Sequence, residues 1–247
     1  MFKFKPSLVL FLFIEGMVFL LLRSAGALLP VLLVVLLAYL LILFFFSMNL
    51  RYNFFLKAKS HAKNGHVVLG FDDGPDPEMT LKILRILDDY NAKAIFFLIG
   101  EYAVKHPDIV KEIITRGHLI GGHTMHHPTN FGILGPTRVE DEIMTGIKVV
   151  ERIIDRKINF FRSPFGISNP IIAAVVKKHN LEVVGWNIRS YDTINKDAQK
   201  MLKKITRQIK NRSSVLLHDR VKNTVEILPD ILMDIQNKKL KIYPEIE

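Results

Sequence analysis

Two adjacent carboxylates, Asp72 and Asp73, open an Asp72-Asp73-Gly74-Pro75 segment with no cation beside them. Asp-Gly-Pro is ordinary turn chemistry, yet such a pair can also split two tasks, one carboxylate binding a metal and the other serving as a base. Downstream, His123-Thr124-Met125-His126-His127-Pro128 sets three histidines within five positions. Histidines at i and i+4 face the same way on a helical turn, as in other zinc motifs. His123 with His126 suits the local spacing as well, so spacing alone does not choose the partner. An Asp–His–His triad leaves positions open for water and substrate, which marks a catalytic site more than a structural one. Such a site activates water near neutral pH and polarises a carbonyl. With nitrogen and oxygen donors the expected ion is Zn2+, with Co2+ or Ni2+ also suited. Cysteine is absent, which excludes disulfides and thiolate metal sites. A His-Glu-x-x-His motif is absent too, which argues against a metalloprotease.

The frame that must hold these side chains is a regular alternation. Strand-like apolar runs occur at His66–Phe71, Ala94–Ile99, His118–Gly121, Ile158–Phe161, Glu182–Trp186 and Ser214–Leu217. Helical periodicity separates most of them, at Met79–Tyr90, Ile109–Thr115, Val139–Ile154, Ile171–His179 and Asp197–Lys210. Strands alternating with helices predict a parallel sheet with crossover helices, and apolar-throughout strands predict burial on both faces. Asp72, Asp73, His123, His127, Arg162, Asp192 and His218 all fall at or just beyond the C-terminal ends of strands, where βα-barrel enzymes place their chemistry.

Ahead of this frame lies a membrane segment. Ala27 to Phe46 is an uncharged, mostly apolar run, about 30 Å long as a helix and so a match for the hydrocarbon core. Ser7 to Leu22 is shorter and carries Glu15, with Pro6 and Arg23 marking its ends. A transmembrane hairpin turning at Arg23-Ser24-Ala25-Gly26 is the simplest arrangement; a cleaved signal peptide fits poorly. The predicted organisation is a tail over 1–6, a hairpin over 7–46, a basic linker over 47–65 and a catalytic domain over 66–247. Lys3 and Lys5 precede the hairpin, Arg51, Lys57, Lys59 and Lys63 follow it, and the turn has only Arg23. The positive-inside rule then places the catalytic domain on the cytoplasmic side of a bacterial inner membrane. A single span over 27–46 would instead turn it outward. The net charge of +10 favours anionic lipid or a phosphate-bearing substrate. The basic residues are scattered without interleaved aromatics, so no nucleic-acid partner is expected.

Four segments carry a family resemblance. Phe71-Asp72-Asp73-Gly74-Pro75 resembles the first motif of the NodB-homology polysaccharide deacetylases (carbohydrate esterase family 4). His123-Thr124-Met125-His126-His127-Pro128 is similar to the family's His-Thr/Ser-x-x-His-Pro motif. Arg162-Ser163-Pro164-Phe165-Gly166 resembles its Arg-x-Pro-aromatic-Gly motif, and Leu216-Leu217-His218-Asp219 its Leu-x-His motif. All four stand in family order across residues 66 to 219.

The resemblance implies an α/β fold, an irregular (β/α)7-type barrel. It implies Asp73, His123 and His127 as metal ligands, which selects His127 over His126. Asp72 would be the general base, oriented by Arg162. The Phe165 backbone N–H would help stabilise the oxyanion, and His218 would protonate the departing amine. Leu216 would line the pocket for the acetyl methyl, although core packing explains it equally well. Trp186-Asn187-Ile188-Arg189-Ser190-Tyr191-Asp192-Thr193 resembles a further family motif, with Asp192 tuning His218. Here the chain departs from the pattern, since Thr193 replaces a usual tryptophan and Arg189 a usual acidic residue. Trp186 itself reads as core. Loss of an aromatic platform speaks against a polymeric substrate, and Arg189 adds a cation suited to phosphate.

The activity expected is therefore metal-dependent N-deacetylation of an N-acetylhexosamine in cell-envelope glycan synthesis, on a polyprenyl-phosphate-linked amino sugar. Lys57, Lys59 and Lys63 would hold the barrel on anionic headgroups, each contributing about 1 kcal/mol. An outward-facing deacetylase of peptidoglycan or exopolysaccharide is the alternative, and a non-catalytic glycan-binding barrel is the reading from another class.

Overall fold

A computed structural model of the protein describes residues 3–24 and 26–247. Ala25, in the expected hairpin turn, and Met1 and Phe2, in the expected tail, lie outside the described residues. The chain opens with α1 (Phe4–Leu22) and α2 (Leu28–Ser47), both long and apolar enough to cross a membrane. They pack together through Phe11 and Tyr39, whose rings stack at 4.3 Å, while the Tyr39 hydroxyl lies 3.2 Å from Ser7 Oγ. Most other leucine, valine and phenylalanine side chains of the pair are exposed, a surface that water penalises and lipid does not. Helix α1 starts before Pro6 because a proline in the first turn forfeits no intrahelical hydrogen bond. Phe54 clamps both helices at one end: its ring stacks on Phe46 at 4.3 Å and its carbonyl accepts from the Phe4 N–H at 3.1 Å.

The strands that follow are β1 (Ala58–Lys59), β2 (His66–Gly74), β3 (Ile95–Leu98), β4 (Leu119–Gly122), β5 (Phe160–Phe161), β6 (Glu182–Val184), β7 (Ile188–Arg189), β8 (Ser214–His218) and β9 (Lys241–Ile242). Their pairings are all parallel, in the order β1-β6-β5-β4-β3-β2-β8-β7, with β9 against the start of β2. The crossovers are α3 (Met79–Asp89), α4 (Gly100–Lys105), α5 (Pro107–Thr115), α6 (Pro136–Ile154), α7 (Pro170–Lys178), α8 (Ala198–Gln208) and α9 (Lys222–Asn237). This is the expected irregular (β/α) barrel, an incompletely closed parallel sheet jacketed by helices. Helix starts follow local chemistry. Asn169 accepts from the Ile172 N–H and Asp197 from the Lys200 N–H, and Pro136 and Pro170 occupy first turns.

Strand alternation divides the core. Val67, Leu69 and Phe71 join the large apolar layer beneath the helices, while Val68, Ile95, Phe97 and Val184 form a small cluster on the inner side. Both faces are buried, as the apolar runs predict.

Residues 47–65, read from sequence as a linker, are folded onto the barrel. Leu50, Phe54, Ala58 and Ala62 are buried, and β1 joins β6. Lys59 pairs with Glu182 and Lys63 with Glu245, so of the three lysines expected to face lipid only Lys57 is outside such pairs among the described residues. Helix α9 goes unread in the sequence because Pro229 lies inside it and ordinarily breaks a helix. Six buried side chains, Thr224, Ile227, Leu228, Ile231, Leu232 and Ile235, outweigh that cost.

Candidate active site

Strands β2 and β8 run side by side with Asp72 opposite His218 in register, so a carboxylate and an imidazole share one rim. Arg162 follows β5 directly and is fully buried. Its Nη1 donates to Asp72 Oδ1 at 2.6 Å, and its Nε and Nη2 donate to the Val184 and Gly185 carbonyls at 3.1 and 3.2 Å. The guanidinium lies 3.9 Å from the centre of the Phe97 ring. Gly70 leaves the room it needs, since a Cβ there would stand 2.7 Å from Nη1. A buried ion pair needs further hydrogen bonds to be tolerated, and these carbonyls supply one each to Nε and Nη2. The pair anchors Asp72 by Oδ1 and leaves Oδ2 3.9 Å from His123 Nε2.

Asp73, His123 and His127 each present one donor atom, all within 4.8 Å of one another. Asp73 Oδ1 lies 3.4 Å from His123 Nε2 and 3.6 Å from His127 Nε2. His123 Nδ1 is 2.7 Å from the Arg162 carbonyl. It must donate there, so a neutral ring turns a bare Nε2 lone pair inward. Two acceptors then face each other, and Asp73 Oδ1 is buried without a hydrogen-bond partner. A cation resolves that conflict, and the two-nitrogen, one-oxygen donor set suits a divalent metal.

The backbone is bent to make this cluster. Asp73, Thr124 and His127 have φ of +74°, +66° and +51°, a left-handed conformation that non-glycine residues adopt at a cost. Thr124 Oγ1 accepts from the His127 N–H at 3.0 Å and donates to the His123 carbonyl at 2.6 Å, which holds the bend. His126 points elsewhere. It is exposed, and its Nδ1 and N–H meet Glu142 at 2.8 and 3.0 Å. Tertiary structure thus separates two histidines that local spacing leaves equivalent.

Electrostatics follow from burial and neighbours. Burial pushes the His127 imidazole down to about 4, helped by the like charge of His123, so its lone pair is free at neutral pH. Burial pushes His123 down as well, but Asp72 and Asp73 pull it above its ordinary value. The two carboxylates call for positive charge at Nε2. Burial raises Asp73, yet the three histidines facing it hold its carboxyl below the usual range.

On the same rim, beside Asp72, His218 Nδ1 donates to Asp192 Oδ1 at 2.7 Å. Asp192 is buried and also accepts from the His218 N–H, Ser190 Oγ and Thr224 Oγ1 at 2.7 to 2.8 Å. Burial alone would lower His218; the hydrogen bond and charge of Asp192 overcome it and raise the imidazolium to about 9. Ser190 and Thr224 were not singled out in the sequence, because one lies in a divergent motif and the other on unread α9.

The remaining candidates divide. Phe165 adopts φ of +58° and its ring meets His127 edge-on at 4.7 Å, which places it at the triad. Leu216 is buried yet belongs to neither apolar cluster, and it sits beside Gly70 on the inward side. Arg189 lies apart from the catalytic cluster, over Trp186 and Tyr191. Trp186 is buried as expected, but its ring also faces Arg162 at 5.7 Å. Asp219 is a further find. Burial lifts its carboxyl to about 8, Thr80 Oγ1 donates to it at 2.8 Å, and its N–H donates to the Asp72 carbonyl at 3.1 Å. It ties the end of β8 to the end of β2.

A family model described as polysaccharide deacetylase matches residues 59–184. A chitooligosaccharide deacetylase from Azorhizobium caulinodans is 34% identical over 163 residues, covering 66% of this chain and 77% of its own length. A peptidoglycan-N-acetylglucosamine deacetylase from Bacillus cereus is 33% identical over 178 residues, covering 70% of this chain and 64% of its own. Among solved structures, that of the Bc1960 peptidoglycan N-acetylglucosamine deacetylase superposes with a TM-score of 0.71 at 29% identity, over 74% of this chain and 88% of the other.

Proposed function

The chain belongs to the polysaccharide deacetylase family, metal-dependent hydrolases of N-acetyl amide bonds, and on that premise we propose that it deacetylates an N-acetylhexosamine carried on a polyprenyl phosphate. Asp73, His123 and His127 would hold the metal. A divalent ion bound there would supply Lewis acidity, polarising the acetyl carbonyl and acidifying a water molecule.

The chain's own groups do the rest. Asp72, fixed through Oδ1 by Arg162, accepts a proton from the attacking water at Oδ2. The water oxygen bonds to the acetyl carbon, and the Phe165 N–H donates to the resulting oxyanion. His218, kept protonated by Asp192, delivers a proton to the sugar nitrogen as the C–N bond breaks, leaving acetate and a free amine. Leu216 bounds the space for the acetyl methyl. The observation that carries this assignment is the orphaned Asp73 Oδ1 facing two histidine nitrogens, with Asp72 adjacent in sequence and His218 beside Asp72 in register.

The lipid-linked substrate is supported by the seat of the hairpin, which we read as a membrane anchor. The Ser168 N–H, three residues past Phe165, donates to the carbonyl of Ser47 at the end of α2. The rim of the site therefore adjoins the point where α2 leaves the bilayer, and tethering raises the effective concentration of a substrate held there. Turnover of a polyprenyl-phosphate N-acetylhexosamine by the full chain in vesicles should exceed that of chitooligosaccharides at equal concentration. The reverse preference would favour an outward-facing deacetylase of peptidoglycan or exported polysaccharide, the reading to which the names of the relatives point.

A further inference from the structure

A pocket of about 230 Å³ lies between the end of α2 and α8, away from the metal triad. Arg51, Arg189 and Lys204 line it together with Trp186 and Tyr191. None of the three cations has a carboxylate within ion-pair reach among the described residues, whereas nearby Lys59 and Lys63 are paired. Lys204 Nζ and Arg189 Cζ approach the Tyr191 ring at 4.1 and 5.2 Å. The ring's face moderates their repulsion but supplies no countercharge. Tyr191 itself takes φ of +58°, a costly conformation, and its ring receives both cations.

Two guanidinium groups and an ammonium around a small pocket match the several oxygens of a phosphate ester. Position says where that phosphate comes from. Arg51 lies four residues beyond Ser47, the last residue of α2, at headgroup depth if α2 spans the bilayer. Trp186 joins the pocket to the catalytic centre. Arg189 Cζ stands 5.8 Å from its ring and Arg162 Cζ 5.7 Å. Tyr191 directly precedes Asp192, which holds His218.

We propose that Arg51, Arg189 and Lys204 form a binding site for the phosphate of a membrane-lipid headgroup, beside the catalytic centre and separate from it. The proposal rests on the reading of the hairpin as a membrane anchor but is tested by binding, without turnover. The full chain in a neutral detergent is titrated with dodecyl phosphate and, separately, with inorganic phosphate. Wild type should bind dodecyl phosphate at least about 10-fold more tightly than Arg51→Gln/Arg189→Gln/Lys204→Gln, because charge-assisted hydrogen bonds are lost. Lys148→Gln/Arg152→Gln/Arg156→Gln removes equal charge from another surface and should bind as wild type does. The single variant Arg51→Gln, with an intermediate loss, serves if the triple variant fails to fold. Equal binding by wild type and the Arg51 variants, equal loss in the Lys148 set, or no preference for dodecyl phosphate over inorganic phosphate would each overturn the proposal. Deacetylation of chitooligosaccharides alone would overturn the substrate reading and leave this binding result standing.

Discussion

As proposed metal ligands, Asp73, His123 and His127 should act as one unit, because each alone offers a single donor to the same point. Replacing any one with alanine should abolish tight metal binding, whereas His126→Ala should retain it, with elemental analysis of the purified chain as the readout. Loss from His126→Ala and retention in His127→Ala would reverse the register. Asp72 differs in its proposed role, a base that Arg162 holds beside the proposed ligands. Asp72→Asn should keep metal and fold but lose about 10²–10⁴-fold in turnover, the usual worth of general-base catalysis. The acid has its own signature. The His218 imidazolium is stabilised to about 9, so it stays protonated at neutral pH and activity falls as pH rises through that value. In Asp192→Asn burial is no longer opposed by that charge, and the basic limb of the pH–rate profile should move to lower pH. An unmoved limb would remove Asp192 from the role.

At the scale of elements, the site depends on helices packing where a side chain would not fit. Gly146 in the middle of α6 touches the metal-binding loop, and a Cβ there would stand 2.4 Å from the Thr124 carbonyl. Thr124 sustains the bend between His123 and His127. Gly146→Ala should therefore push that loop outward, at a cost of about 1–3 kcal/mol from overpacking. The expected result is a folded protein with a lower melting temperature and weaker metal retention; unchanged metal affinity would show that α6 does not set the loop. Helix α9 acts from the other side, delivering the Thr224 hydroxyl to Asp192 at 2.7 Å.

For the molecule as a whole, Phe54 gathers the start of α1 and the end of α2 at one face of the barrel. If both helices span, the N-terminus and the catalytic domain share a side of the membrane. Lys3, Lys5, Arg51 and Lys57 also lie on that side, against Arg23 at the turn, so it should be the cytoplasm. A reporter fused after Glu247 should be active only if it functions inside the cell; periplasmic activity would reverse the topology and the substrate preference together.

What the sequence determined by itself were features with a local cause. Apolar periodicity marked most of the long elements, apolar runs marked the two N-terminal helices, and the order of four short motifs marked the family and the residues proposed for its chemistry. Short strands β1, β7 and β9 escaped, because two residues carry no period and take their conformation from a neighbouring strand. So did the folding of 47–65, whose buried Leu50, Phe54, Ala58 and Ala62 stand among charged and polar neighbours, with Ala58 and Ala62 held by pairing to β6 and to Ile246 far along the chain. Spacing left His126 and His127 equivalent and only the family motif favoured His127; the tertiary structure turns His127 to Asp73 and His126 to Glu142, through a local bond to Thr124 and a longer-range one from Glu142. Likewise, only the fold brings Arg51, Arg189 and Lys204 to one pocket, from three segments that share no local pattern.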